Sequence, residues 1–245
     1  MKKLHLVMPM AGGGSRFREQ GFTLPKPLIE IHDRPFFYWA ARSILRNIDC
    51  VDVTFAVLEE HVREYQIDAI IRKFFPEARI NTIPELLPGA VCTCLKAIEN
   101  FDDDLPVIFN DCDHMFSCNI LANRLVEDNS IDFDGALLTF ESTDAHFSYV
   151  QYDESGNVIG TVEKQVVSSY AICGAYFFAN AGLFRQMSEK YFKICRYREY
   201  FISGVYNELV KAGKRIAAFK TDFYLPFGTP AEYAEAKNSS YFELT

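Results

Sequence analysis

The residues of this chain best suited to hold a polyanion are Ala11-Gly12-Gly13-Gly14-Ser15-Arg16 and, ten residues on, Pro25-Lys26-Pro27. Glycine permits backbone angles that a Cβ forbids and lets a backbone N–H approach a ligand closely. Placed directly after a strand, such a loop can wrap a phosphate in amide donors. Arg16 adds a fixed cation with a bidentate fork, and the flanking prolines restrict the backbone that carries Lys26. Further on, Asp111 and Asp113 are two carboxylates one residue apart, an oxygen pair suited to a hard cation. Each feature also has a plainer reading. The glycines alone are equally compatible with a simple strand-to-helix turn, and aspartates also favour turns and caps. Two other nucleotide motifs fail outright. The dinucleotide fingerprint needs a third glycine where Phe17 stands, and no Gly-Lys-Ser/Thr follows the loop.

These residues must be held by regular elements, and the apolar spacing supplies them. Leu4–Met8 reads as a buried strand, Arg34–Arg46 as a helix, Val51–Leu58 as a second strand and Val62–Phe75 as a helix stopped by Pro76. A strand over Arg79–Ile83, a turn at Pro88-Gly89, a helix over Ala90–Glu99 and a strand over Pro106–Asn110 follow. Strand and helix alternate to this point, which predicts a mostly parallel sheet with crossover helices. Asp111 and Asp113 then fall at a strand's carboxyl end, where open α/β sheets bind ligands. The second half changes character. Strands over 135–140 and 172–178 bracket a hairpin, Ser148–Tyr152 and Val158–Glu163, around Asp153–Asn157. Helices over 181–189 and 200–212 and a strand over 214–219 complete it. Alternation predicts that Glu163 and Lys164 point to opposite faces, and a solvated Glu–Lys pair is their plainer reading. Arg18 and Lys96 are expected on the surface. Of Phe147, Tyr149, Tyr176, Phe177 and Phe178, more are expected in the core than in a pocket, and Tyr197, Arg198 and Tyr200 lie on a polar loop.

The chain has 245 residues, about half of them apolar, which suits one domain with a sizeable core. Its net charge of -8 argues against a nucleic-acid or membrane-surface binder, so an anionic ligand must be caught by a few placed cations. No run is long enough to span a bilayer. Met1-Lys2-Lys3 leads into a short strand and not a signal peptide's apolar core, so a cytoplasmic location is expected. The seven cysteines show no paired metal spacing and read as buried thiols. The five histidines show no H-x-x-x-H pattern.

The glycine loop with Arg16 and Pro25-Lys26-Pro27-Leu28 resembles the signature of the sugar-phosphate nucleotidyltransferases. Ile108-Phe109-Asn110 with Cys112-Asp113, Phe147-Ser148-Tyr149-Val150, Val162-Glu163-Lys164 and Gly228-Thr229-Pro230 extend the resemblance across the chain. They point to a small subgroup found with capsule and surface-polysaccharide genes. The resemblance implies a Rossmann-like α/β fold of the GT-A kind, a mixed, mostly parallel sheet flanked by helices. One domain over 1–245 would have a nucleotide half, about 1–115, and an acceptor half, about 116–245. It also implies the reaction: a nucleoside triphosphate, CTP or UTP favoured, and a phosphate monoester give a nucleoside-diphosphate conjugate and pyrophosphate. The acceptor would be a sugar 1-phosphate or a small non-sugar phosphate such as phosphocholine or phosphoglutamine.

By the same resemblance, Arg16 and Lys26 act on the triphosphate, with Met10, Ala11, Gly12, Gly13, Gly14 and Ser15 around it. Glu85, Gly89 and Ala90 form the base-reading loop. Lys164 meets the acceptor's phosphate, and Glu163, Gly174 and Tyr149 its organic part. Asp113 is the Mg²⁺ ligand, with Asp111 less certain. The family's second metal aspartate stands just before Gly-Thr-Pro. Pro226 occupies that position here, which leaves Asp222 as a displaced substitute. The attacking phosphate is already ionised, so positioning and charge stabilisation carry the rate and no general base is needed. Two rivals stand beside this reading: a glycosyltransferase using Asp111-Cys112-Asp113, and a nucleotide-binding protein without turnover. The partners expected are the two small molecules, not nucleic acid or membrane, with a homo-oligomer left open.

Overall fold

A computed structural model describes residues 4–48, 50–126 and 132–242. Strand β1 (Leu4–Met10) leads through the glycine loop to a short helix α1 (Ser15–Glu19) and a 3-10 turn at Lys26–Leu28. A two-residue hairpin, β2 (Glu30–Ile31) and β3 (Arg34–Pro35), precedes helix α2 (Phe36–Leu45). Next come β4 (Cys50–Leu58), α3 (Glu59–Tyr65), α4 (Ile67–Phe74), β5 (Arg79–Ile83), α5 (Ala90–Ala97) and β6 (Val107–Asn110). The second half runs β7 (His114–Ser117), α6 (Asn119–Val126), β8 (Gly135–Glu141), β9 (Ser148–Tyr152), β10 (Val158–Glu163) and β11 (Tyr170–Phe178). It ends with α7 (Ala181–Phe192), α8 (Ile202–Lys211), β12 (Ile216–Lys220), β13 (Phe223–Pro226) and α9 (Pro230–Ala236).

The main sheet is mixed. β1 pairs in parallel with β4 and β6, and β4 with β5. β11 runs antiparallel to β6, β8 and β9, while β12 joins β8 in parallel. One edge of β11 changes partner along its length. Ala171 faces Tyr149 of β9, whereas Ala175 to Phe178 face β6. Residues 172–174 span the gap between those partners, and a cavity opens there.

Both faces of the sheet are covered, as the strands' near-continuous apolar runs require. Leu4, Leu6, Met8 and Met10 pack on one face against α2 and α4, and Val7 and Ala11 on the other against α5. Helices α7 and α8 cover that second face through Phe184, Met187, Val205 and Leu209. A smaller core of Phe17, Ile29, Phe36, Trp39, Met115 and Phe227 fastens the exit of the glycine loop.

Several boundaries depart from the sequence reading. The helix expected over 62–75 is two helices, because Gln66 adopts a left-handed conformation (φ 52°). Helix α2 begins at Phe36 and not Arg34, because Pro35 is extended (ψ 154°). His32 and Asp33 both have positive φ, the backbone of a tight hairpin turn. The periodicity reading missed α6, α9 and the small sheet in which β7 pairs with β13.

Candidate active site

The glycine loop leaves β1 with its amides open. Gly14 is left-handed (φ 59°), and its carbonyl accepts the N–H of Phe17 at 3.2 Å and of Arg18 at 3.3 Å. Among the described residues the amides of Gly12, Gly13 and Gly14 donate to nothing. A Cβ on Gly12 would meet open space, whereas one on Gly14 would lie 3.3 Å from Lys26 Cβ, so loop and lysine pack together. Met10 and Ala11 are buried in the core, and only their backbone can serve the loop. Ser15 and Arg16 are exposed, and Arg16 reaches the cavity wall.

Lys26 Nζ ion-pairs with Asp113 Oδ2 at the carboxyl end of β6. Burial pulls the ammonium's pKa down, but Asp113, Cys112 and Asp111 outweigh it and hold Lys26 above its ordinary value. Burial pushes the Asp113 carboxyl up, yet Lys26 and His114 leave it below the usual range. Its neighbour behaves oppositely: burial and the charge of Asp113 raise Asp111 to about 7. Asp113 is also clasped from behind, where its carbonyl accepts the N–H of Phe227 at 2.9 Å. Its carboxylate stands where a Cβ on Gly228 would be. Gly228 is therefore needed for the close approach of β13's exit to this carboxylate.

The cavity beside this pair has a volume of about 270 Å³. Its charged lining is Arg16, Asp111, Asp113, Glu163, Lys164, Glu199 and Glu232, with the rings of Phe147, Tyr176, Phe201 and Tyr224. Glu163 and Lys164 both line it, contrary to the opposite faces that alternation predicted. β10 ends at Glu163, and Lys164 turns left-handed (φ 55°), its N–H held by Phe147 O at 3.0 Å. Lys164 Nζ lies 5.2 Å from the centre of the Phe201 ring, within cation–π range. Glu163 accepts from the hydroxyls of Ser148 (2.6 Å) and Ser203. Burial raises its pKa against those donors.

The loop expected to read the base packs directly against the segment before α8. Gly89 has φ 112°, and a Cβ on it would collide with Tyr200 N and stand 2.8 Å from Tyr200 O. Tyr200 N donates to Pro88 O at 2.9 Å, and its carbonyl accepts from Val91 N at 3.1 Å. Ala90 lines the cavity, while Glu85 is solvent-exposed and does not.

Other expected residues lie elsewhere. Tyr149 is fully buried, donates its hydroxyl to Asp144 O at 2.8 Å and does not line the cavity. Asp222 faces α6, where its Oδ2 accepts from Asn119 N at 2.8 Å and Ser117 Oγ at 3.4 Å. It caps that helix and stands apart from the Asp111–Asp113 pair. Arg18 is exposed, Lys96 pairs with Glu99 at 2.6 Å, and Phe177 and Phe178 are core. Among the described side chains six cysteines are free thiols, four of them buried as expected and Cys92 and Cys195 only half-buried, and no group of three or more His, Cys, Asp or Glu converges as a metal cage.

Sequence reasoning missed His114, Glu199, Phe201 and Glu232. Only Glu232 had a signal. Thr229-Pro230-Ala231-Glu232 is a capping box, with Thr229 Oγ1 accepting from Glu232 N at 3.2 Å and Glu232 accepting from Thr229 N at 2.8 Å. The other oxygen of Glu232 faces His146 Nε2 at 3.2 Å.

Residues 6–241 match the family described as nucleotidyl transferase. Several solved structures share the fold. A nucleoside-diphosphate-sugar pyrophosphorylase from Vibrio cholerae superposes with a TM-score of 0.81 at 21% identity, covering 96% of this chain and 100% of its own. The inositol-1-phosphate CTP transferase from T. maritima gives 0.76 at 14%, covering 99% and 94%. A UDP-glucose pyrophosphorylase complexed with UDP-glucose gives 0.77 at 18%, covering 100% of both chains. No curated protein matches in sequence.

Proposed function

The chain belongs to the nucleotidyl transferase family, and on that premise we propose that it transfers a nucleotidyl group from a nucleoside triphosphate, CTP or UTP favoured, to a phosphate monoester. The products are a nucleoside-diphosphate conjugate and pyrophosphate. The observation that carries this reading is the Lys26–Asp113 pair, set between a loop of open amides and a cavity with Lys164 on its far wall. The amides of Gly12, Gly13 and Gly14 and the fork of Arg16 hold the β- and γ-phosphates. Lys26 stabilises the charge that develops at the α-phosphate, and Lys164 orients the attacking phosphate. Gly89 and Ala90 read the base through their backbone.

Asp113 is the carboxylate that would hold Mg²⁺. One or two carboxylates, completed by substrate phosphates and water, are a usual magnesium site. Bound there, the ion would screen the negative charge of the two reactants. Asp222 is not part of this proposal, since it caps α6. The acceptor is a sugar 1-phosphate or a small non-sugar phosphate, and a role in surface-polysaccharide assembly in the cytoplasm completes the reading. No helix among the described residues is long and apolar enough to cross a membrane.

The test is pyrophosphate release across the four ribonucleoside triphosphates and dTTP, with Mg²⁺ and a panel of phosphate esters. One productive pair supports the reading and names the base and acceptor. Release of a nucleoside diphosphate from an NDP-sugar supports a glycosyltransferase instead. Nucleotide binding without any turnover supports the non-catalytic reading.

A further inference from the structure

We propose that Asp111 and His114 form a notch over Gly174 that accepts hydrogen bonds from the acceptor's organic part, so that the acceptor presents an O–H or N–H donor there. The inference rests on reading the cavity as the acceptor site. His114 is 2% exposed, and its Nε2 lies 3.0 Å from Asn110 Oδ1. Asn110 Nδ2 donates to Ala40 O at 3.0 Å, which fixes Oδ1 as the amide's acceptor. Nε2 of His114 must therefore carry the proton, and Nδ1 is left with a bare lone pair. That nitrogen meets no donor among the described residues.

Gly174 shows where the lone pair points. A Cβ on this residue would stand 2.8 Å from Asp111 Oδ2 and 3.1 Å from His114 Nδ1. Two acceptors thus converge on one point of the cavity wall, and only a glycine (here at φ 91°) leaves that point open. The geometry is held from the backbone, since Asp111 N donates to Gly174 O at 2.9 Å. The Asp111 carboxyl likewise meets no side-chain donor among the described residues.

The same cavity repeats the chemistry. Glu163 offers a third acceptor, with Tyr176 and Phe201 beside it. Lys164 and Arg16 are committed to phosphate in the proposed reading. The organic part therefore faces acceptors and rings. Neither Asp111 Oδ2 nor His114 Nδ1 is sealed from solvent, since both residues line the cavity, so a ligand that displaces water from the notch must supply donors in its place. A ligand lacking the donor is penalised because the wall's polar atoms stay unpaired. A second anion on the acceptor would be disfavoured by the carboxylates of Glu199 and Glu232 on the cavity wall.

Titration calorimetry on the intact protein, in Mg²⁺ with α,β-methylene CTP or UTP, tests this with five probes. Glucose 1-phosphate carries hydroxyl donors and ethanolamine phosphate an ammonium donor. Choline phosphate carries charge without a donor, ethyl phosphate carries neither, and 3-phosphoglycerate carries a second anion. At least one donor probe should bind tenfold or more tightly than the other three, and which one binds separates a hydroxyl from an ammonium source. His114→Phe should bring that ratio close to one. Asp111→Asn, which keeps the side chain's size, should do the same if the phenylalanine variant fails to fold. Equal binding of all five probes, tightest binding of choline phosphate, or an unchanged ratio in the variants overturns the inference alone. No binding of any phosphate ester while the nucleotide still binds overturns the acceptor-site reading and this inference with it.

Discussion

The loop after β1 and the cavity between β6, β9 and β11 lie on one sheet, yet they are made of different material. The first presents backbone amides that donate to nothing among the described residues and the exposed Ser15 and Arg16, while its glycines carry no side chain and Met10 and Ala11 turn into the core. The second is built of side chains from the turn after β6, from β9, β10 and β11 and from the segment before α8, among them the buried Glu163. A backbone cradle suits a ligand common to a whole reaction class, because every triphosphate has the same oxygens. A side-chain cavity can differ from chain to chain without disturbing the cradle. On the proposed reading, recognition of the triphosphate and selection of the acceptor are physically separate. They meet at the Lys26–Asp113 pair and at Gly89, where the backbones of 88–91 and Tyr200 hydrogen-bond.

The separation can be attacked at its centre. Lys26→Ala should lower kcat by about 10²- to 10³-fold, the usual loss on removing one transition-state charge donor. Nucleotide affinity should move by less than about tenfold, because the loop amides remain. Initial rates and nucleotide titration check the two halves of that statement. Next in size, Gly89→Ala should destabilise the fold by about 3 kcal/mol, because a Cβ at that positive φ strikes Tyr200. Urea unfolding reads it, and a wild-type midpoint would break the claim that the two halves are joined there.

Lys164→Ala sharpens the comparison from the acceptor side. It should raise the acceptor KM about tenfold, the weight of one charge-assisted hydrogen bond, and leave the nucleotide KM in place. A shift in both constants would show that the halves are not separable. The smallest effect is expected at Asp222. Its loss to alanine should cost about 1 kcal/mol, the worth of a helix cap. Thermal unfolding measures that, and a turnover loss as large as that of Lys26→Ala would instead return Asp222 to the metal site.

The same contrast explains what was legible in the sequence. The glycine loop, Lys26, Asp113 and the alternation of the first half stand in spacing and apolar rhythm, because local backbone rules govern them. The cavity does not, because its members are far apart in sequence and joined by pairing no period encodes. His114 and Phe201 carry no motif, and their role comes from the gap between β9 and β6 along β11. Lys164 shows the limit of alternation: one left-handed residue at a strand's end put it beside Glu163. Gln66 broke a helix in the same way. Asp222 looked like a metal ligand by proximity to Gly228-Thr229-Pro230, but the β13–β7 pairing turns it toward the start of α6.

The most direct test of the central claim follows the α-phosphorus of the nucleotide. The protein is incubated with Mg²⁺, phosphate esters and triphosphates labelled at that position, and the products are separated by mass. The account predicts the label in a nucleoside-diphosphate conjugate, with pyrophosphate formed in equal amount and both lost in Lys26→Ala. Label left in a free nucleoside mono- or diphosphate, or full turnover in that variant, would contradict it.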